Sequence, residues 1–430
     1  MADAPTPFRT LTQHLGKLFH ARLAESPDPT DPTATGQLVH HLVEDALRER
    51  ASDIHLDAIA HGLCIRFRID GAMCDVAQLP RAVGEHLLRY FKVNAGLNPA
   101  PSFLPEDSHL RMELDSGTVD LRLACAPCIQ GEKLTLRLLQ KSRVRIHLHE
   151  LGFSDEDRES IGHWLAESAG MFIVAGPMGS GKTTTLYAIL HEMHLMRKSI
   201  TTIEDPIEYQ IDKINQIEVD PKRGLTFAVG LRSILRLDPD LILLGEIRDE
   251  ESAAVAIEAS NTGRVLLSTM HSRDAVGAVT SLRNLGVKNQ DIAPALAFVV
   301  SQRLVRKLCT DCRTRGNPDE AETAWLRRVG AEAPGTTWRA AGCKHCHGTG
   351  YSGRTGVFEV WRFDESAYEM VRSGADEHEL RRHLGTAGAR SLLANGLRIT
   401  AAGITDLAEV RAMGGLAFQT RGSTEQKKAD

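Results

Sequence analysis

Residues 171–185, Met171-Phe-Ile-Val-Ala-Gly-Pro-Met-Gly-Ser-Gly-Lys-Thr-Thr-Thr185, hold a GxxxxGKT phosphate loop between an apolar strand and a helix that begins at the lysine. The run 171–175 reads as a buried strand. Gly176, Gly179 and Gly181 let the backbone curl around phosphates, and its N–H groups line the concave side. The candidate nucleotide-binding segment is therefore Gly176, Pro177, Met178, Gly179, Ser180, Gly181, Lys182, Thr183 and Thr184. Lys182 reaches the β and γ phosphates and the Thr183 hydroxyl ligates magnesium. The competing reading is an accidental glycine-rich turn before a surface helix; the flanking strand and helix are what the motif needs, and they favour the phosphate loop.

Two further strands supply acids. A strand that ends in a carboxylate beside such a loop places an acid where magnesium and the attacking water sit, and 199–203 and 241–244 both read this way. Glu204 and Glu246 are the leading acids. Glu204 can also be read as an N-cap-like acid before Pro206, and Glu208 as a solvated one. His271 follows a strand at 264–269, expected beside 241–244 in the same sheet, where it can contact a γ phosphate or serve only structure.

In this order the segments Thr201-Thr-Ile-Glu-Asp-Pro-Ile-Glu-Tyr209, Leu241-Ile-Leu-Leu-Gly-Glu-Ile-Arg-Asp249 and Leu266-Leu-Ser-Thr-Met-His271 resemble the Asp box, Walker B segment and His box of the ATPases of type II secretion and type IV pilus assembly. The resemblance covers about residues 37–415. It implies an α/β fold: a RecA-like P-loop NTPase core, a preceding small PAS-like α/β domain, an inserted zinc-binding subdomain and a C-terminal helical subdomain. It also implies that Glu204 polarises the attacking water, that Glu246 holds magnesium and that His271 reports on the γ phosphate. Arg232, Arg236 and Arg248 lie in segments resembling family signatures and are read as ion-pairing groups at subunit or domain contacts.

Cys309-Thr-Asp-Cys312 and Cys343-Lys-His-Cys346 form two CxxC knuckles with thirty residues between them. Such knuckles can turn four sulfurs toward one ion, and zinc is the expected metal. Four thiolates leave no open position, so the site reads as structural, clamping an otherwise loose excursion; disulfides are the alternative. Within the resembling family the tetracysteine insertion is common in assembly and secretion ATPases and lacking in retraction ATPases. Cys125-Ala-Pro-Cys128 is a third, isolated CxxC in a strand-like stretch, and Cys64 and Cys74 read as core cysteines.

The composition, 430 residues with 42% hydrophobic and 25% charged, fits a multidomain globular chain of about three domains. A net charge of −5 and a pI near 6.4 give no electrostatic footprint for nucleic acid. No apolar run approaches the ~20 residues of a spanning helix, and the first residues lack the basic and apolar regions of a signal peptide. The expected location is the cytoplasm, at the inner face of the membrane through partners.

Residues 1–36 read as an amphipathic helix, with Phe8, Leu11, Leu15, Leu18, Phe19 and Leu23 on one face, followed by a proline-rich linker at 25–36. That face could dock on a partner or lipid, or cap the next domain. The expected domains are then 37–141 (α/β), 142–308 (ATPase core), 309–354 (zinc), 355–420 (helical, with helices near 366–373, 377–384 and 391–401) and a polar tail at 421–430. Ala51-Ser-Asp-Ile-His-Leu56 and Ile65-Arg-Phe-Arg-Ile-Asp-Gly71 resemble the family's domain preceding the core. Arg122 and Arg137 sit where that domain could swing over the nucleotide and neutralise phosphate charge; pairing with local acids is the alternative.

One segment departs from the family pattern. Relatives tend to carry a basic run where this chain reads Pro101-Ser-Phe-Leu-Pro-Glu-Asp-Ser-His109. The 36 residues before the α/β domain are also too few for the further N-terminal domains of many secretion ATPases, so a membrane-anchored recruiter or cyclic dinucleotide is not carried over. The expected protein is a magnesium-dependent ATPase, a homo-hexamer driving a pseudopilus or pilus against an inner-membrane platform protein. The alternatives are a retraction or conjugation-type ATPase and a nucleotide-binding regulatory subunit with negligible turnover.

Overall fold

The computed structural model describes residues 9–10, 15–26, 28, 31–139, 147–167, 169–195 and 198–414. They divide into two compact units, Met1–Ser142 and Arg143–Asp430.

The first unit runs β1 (Arg9–Thr10), α1 (Lys17–Glu25), α2 (Pro32–Arg48), β2 (Ala51–Ile59), β3 (Gly62–Ile69), β4 (Ala72–Pro80), α3 (Arg81–Asn94), β5 (Glu106–Leu114), β6 (Gly117–Cys128) and β7 (Gly131–Leu139). Its antiparallel sheet has the order β1-β4-β3-β2-β7-β6-β5. Alternation decides the two faces. Ile54, Leu56, Ile65, Phe67, Leu121, Leu123, Leu134 and Leu136 join one core with Leu38 and Leu42 of α2 and Leu87 and Phe91 of α3. The intervening positions carry Asp53, Asp57, Arg66, Arg68, Arg122, Lys133 and Arg137.

Leu15, Phe19 and Leu23 are buried in this same core, so the apolar face of α1 serves as a cap and does not stand free for docking. Phe8 and Leu11 lie outside the described residues. The proline-rich stretch is helical from Pro32 onward, because the Asp31 carboxylate accepts from the Thr33 and Ala34 N–H groups and proline is pre-set for a first helical turn. The linker expected over 25–36 is therefore helix from Pro32 onward. The isolated CxxC ends β6, where Cys125 is buried and Cys128 exposed; burial and the neighbouring Glu132 push the Cys125 thiol up to about 11.

The second unit continues with α4 (Asp155–Glu167), β8 (Gly170–Ala175), α5 (Lys182–Leu195), β9 (Ile200–Glu204), β10 (Asn215–Glu218), α6 (Phe227–Ile234), β11 (Leu241–Leu244), α7 (Glu250–Ser260), β12 (Val265–Met270), α8 (Ala275–Asn284), α9 (Asn289–Ala295) and β13 (Leu296–Leu308). Next come β14 (Thr314–Gly316), α10 (Glu320–Arg328), β15 (Thr337–Arg339), β16 (Tyr351–Arg362), α11 (Glu365–Arg372), α12 (Glu377–Thr386), α13 (Leu392–Ala401) and α14 (Leu407–Gly414). The main sheet has the order β10-β9-β11-β12-β8-β13-β16. Every pair in it is parallel except β13 with β16. Strands β8, β11 and β12 are buried along nearly their whole length, as expected for a parallel sheet covered on both faces.

One expected boundary moves. The division at 354/355 falls inside β16, a twelve-residue edge strand of the ATPase sheet. Its start, Tyr351-Ser-Gly-Arg-Thr-Gly356, pairs with β13 despite its two glycines. The region after β16 is helical as expected, with α14 as a helix the sequence reading did not separate.

Candidate nucleotide site and metal centre

The phosphate loop joins the buried end of β8 to α5, which begins at Lys182 as the motif requires. Two glycines are dictated by close approach. A Cβ on Gly176 would fall 2.6 Å from the Gln302 carbonyl oxygen, and one on Gly181, at φ +86, 2.9 Å from the Gln302 amide nitrogen. Lys182 Nζ donates to the carbonyls of Gly176 and Pro177 at 2.9 and 3.1 Å. Burial and then the nearby Arg303 lower its pKa, so this cation sits among neutral acceptors and a like charge. An incoming anion would relieve that penalty.

Strands β9, β11 and β12 lie in parallel register, Leu244 opposite both Ile203 and Ser268, and so deliver Glu204, Glu246 and His271 to one end of the sheet. The two acids differ in environment. Glu204 is only 3% exposed. It accepts from Thr202 Oγ1 at 2.6 Å, from Gln216 Nε2 at 3.3 Å and from the Tyr187 hydroxyl of α5. Burial raises its pKa against those three donors. A carboxylate sealed in this way positions α5 against β9.

Glu246 instead faces other charged groups. It pairs with Arg248 and lies 3.5 Å from His271 Nε2. Arg248 also reaches Asp205 at 3.3 Å and stacks over Phe227, so the ion pairing expected of it is made here, beside Glu246. Burial, then Lys182 and Arg248, lower the pKa of the half-exposed His271, which favours the neutral imidazole. Arg232 pairs with Glu251 within the unit, and Arg236 bonds to its own helical turn.

Sequence reasoning missed Gln302. It lies 2% exposed on β13, in the run Phe298-Val-Val-Ser-Gln302, and the only available signal was an amide in an apolar strand.

The four cysteines come together as expected, their sulfurs all within 4.8 Å of one another. A tetrahedral ion with metal–sulfur bonds of about 2.3 Å requires sulfur–sulfur edges of about 3.8 Å. Cys309–Cys343, Cys312–Cys346 and Cys343–Cys346 stand at 3.9, 3.7 and 3.7 Å. The donor set therefore fits zinc, and the spacing is far too long for disulfides. Burial would raise the Cys346 thiol, yet the N–H groups of Cys343 and Gly350, at 3.2 and 3.1 Å, together with the Cys343 and Cys312 thiols bring it down to about 7. The excursion is not otherwise loose: Trp325, Leu326 and Val329 of α10 and its C-cap pack against Leu393, Leu407 and Val410.

In the first unit, Arg122 of β6 stands directly opposite Arg137 of β7, and Arg137 opposite Asp53 of β2. Asp53 lies 3.1 Å from Arg137 and 3.6 Å from Arg68. Directly opposed like charges destabilise a sheet, and one shared carboxylate offsets only part of that cost. His109, in the segment that lost its basic run, is opposite Arg122.

The profile of the type II/IV secretion system protein family matches residues 29–412. The type II secretion system protein E of Pseudomonas aeruginosa is 41% identical over 374 residues, covering 87% of this chain and 74% of the relative. The type II secretion system ATPase E of Vibrio cholerae is 39% identical over 374 residues, again 87% of this chain and 74% of the relative. The type IV pilus assembly ATPase PilB of Thermus thermophilus is 38% identical over 406 residues, which is 93% of this chain and 45% of PilB. Among solved structures, the Legionella pneumophila ATPase DotB superposes with a TM-score of 0.64 at 19% identity, covering 87% of this chain and 94% of DotB; it supports the fold alone. With the phosphate loop, the two acid-tipped strands and His271 assembled on such a sheet, the chain belongs to the type II/IV secretion system protein family, the secretion and pilus-assembly ATPases.

Proposed function

We propose that this protein hydrolyses ATP with magnesium, as a homo-hexamer that drives pseudopilus or pilus assembly against an inner-membrane platform protein in the cytoplasm. The observation that carries the reading is the convergence of Lys182, Glu246 and His271 beside the phosphate loop. The names of the relatives support the secretion setting, and the tetracysteine cluster supports the assembly branch over retraction. No helix among the described residues is long and apolar enough to cross a membrane, so the membrane is to be reached through partners.

Thr183 and Glu246 are the residues that would hold magnesium, which when bound neutralises charge on the β and γ oxygens. Glu246, the acid facing His271, is assigned to the attacking water as well, and Glu204 to holding Tyr187. Loop amides and Lys182 take up charge on the phosphoryl oxygens. The steady-state ATPase rate of the full-length protein, with and without platform protein, tests the reading. Glu246→Gln should bind ATP yet turn over at least about 100-fold more slowly. Glu204→Gln should lose less, and the reverse order would return the water to Glu204. Wild-type protein with no turnover under either condition would instead favour the regulatory-subunit alternative.

Arg122 and Arg137 are proposed to neutralise γ-phosphate charge, because the two guanidiniums stand opposite one another, Arg137 shares its Asp53 carboxylate with Arg68, and the buried Arg122 Nε has no hydrogen-bond partner among the described residues. The double substitution Arg122→Ala with Arg137→Ala should lower kcat by about 10- to 100-fold with little loss of melting temperature. A wild-type rate would leave the charged face a docking module.

A further inference from the structure

Gln302 sits where β13 outruns β8. The parallel register pairs Ser301 with Ala175, the last residue of β8, so Gln302 lies beside Gly176 as the chain leaves the sheet. Both ends of its amide are used. Nε2 donates to the Ser180 carbonyl at 2.8 Å, and Oε1 accepts from Thr185 Oγ1 at 2.7 Å. One buried side chain thus ties the crest of the phosphate loop to the first turn of α5. The next residue extends the brace, since Arg303 donates to the carbonyl of Gln302 at 2.8 Å and to that of Arg273 at 2.6 Å, two residues past His271.

We propose that Gln302 is a positioning residue that holds the phosphate loop in its anion-binding form. Turning the Ser180 carbonyl toward β13 keeps that acceptor away from the concave side, where it would oppose phosphate oxygens. The Thr185 bond fixes the start of α5, and with it Lys182 and Thr183, relative to the sheet. The amide is specified because the task needs one donor and one acceptor at a dry position. The inference rests on the reading that this loop binds ATP.

The test uses the full-length protein and ATP. Gln302→Met keeps the volume and loses both bonds; because the loop serves ground and transition states alike, KM for ATP should rise at least about tenfold while kcat changes less. Gln302→Glu retains the acceptor for Thr185 but at pH 8 has no donor for Ser180. Protonation of that buried carboxyl toward pH 6 restores the donor, so its KM relative to wild type should fall between pH 8 and pH 6. Lys182, His271 and Arg303, the ionisable groups around the position, are common to all variants and cancel in that ratio. For Gln302→Met the ratio should stay flat. Wild-type KM in Gln302→Met, or a pH-independent ratio in Gln302→Glu, overturns the proposal. The underlying reading fails separately, if Lys182→Ala also keeps wild-type turnover.

Discussion

Lys182→Ala is expected to abolish ATP hydrolysis, a loss of at least about 100- to 1,000-fold in kcat, while the protein stays folded. The expectation follows from how the lysine is held. Among the described residues its ammonium bonds to the two loop carbonyls of Gly176 and Pro177 and is repelled by Arg303, an arrangement with its strongest partner still to come. A β/γ phosphate supplies that partner, and charge flowing onto its oxygens during transfer strengthens the contact further. The fold rests on other side chains: β8 and α5 are packed by Phe172, Val174, Leu186, Tyr187 and Leu190. Melting temperature should therefore change by no more than an ordinary surface substitution would produce. Steady-state phosphate release checks the first part and thermal unfolding the second. Wild-type turnover would remove the loop from catalysis altogether.

What the sequence revealed and what it concealed follow from the range of the interactions. The phosphate loop is a local device, since its glycines, lysine and threonine act within a dozen residues, and the structure places β8 and α5 where the pattern put them. The cysteine cluster was legible for the same reason, each knuckle being a short turn with two sulfurs. Strands β9, β11 and β12 were legible as apolar runs, and β12 lies beside β11 as expected, whereas the place of β9 on the other side of β11 was not read from the sequence. The division of labour between the acids was not legible. Glu204 and Glu246 both end strands, and only the tertiary positions of Tyr187, Gln216, Arg248 and His271 distinguish a sealed carboxylate from a facing one. Gln302 was hidden for a related reason: it lies 122 residues from the carbonyl it holds. Strand β16 was masked by the glycines of its own first half, and α1 by an apolar face that fits equally well on a partner or on its own domain.

The cysteine cluster leads to the second large effect. Purified without chelator, the protein should carry one zinc per chain, and Cys346→Ser should lose it. Two devices hold the excursion between β13 and β16, and their magnitudes decide which one dominates. The apolar seam centres on Trp325 and Leu326 of α10 against Leu393, Leu407 and Val410. Truncating its largest member, Trp325→Ala, should cost about 3 to 5 kcal/mol. Structural zinc in small sites contributes an apparent 10 to 16 kcal/mol at neutral pH. The metal is therefore the dominant clamp, and Cys346→Ser should disorder the segment far more than Trp325→Ala does. Limited proteolysis reads this directly, with new cleavage between Cys309 and Gly350 in the cysteine variant and protection largely retained in the tryptophan variant. The ATPase sheet should survive both changes, because β13 is paired with β8 on its other edge independently of the knuckles. Zinc-free wild-type protein, or equal protection of Cys346→Ser and wild type, would leave the apolar seam as the element that organises the excursion.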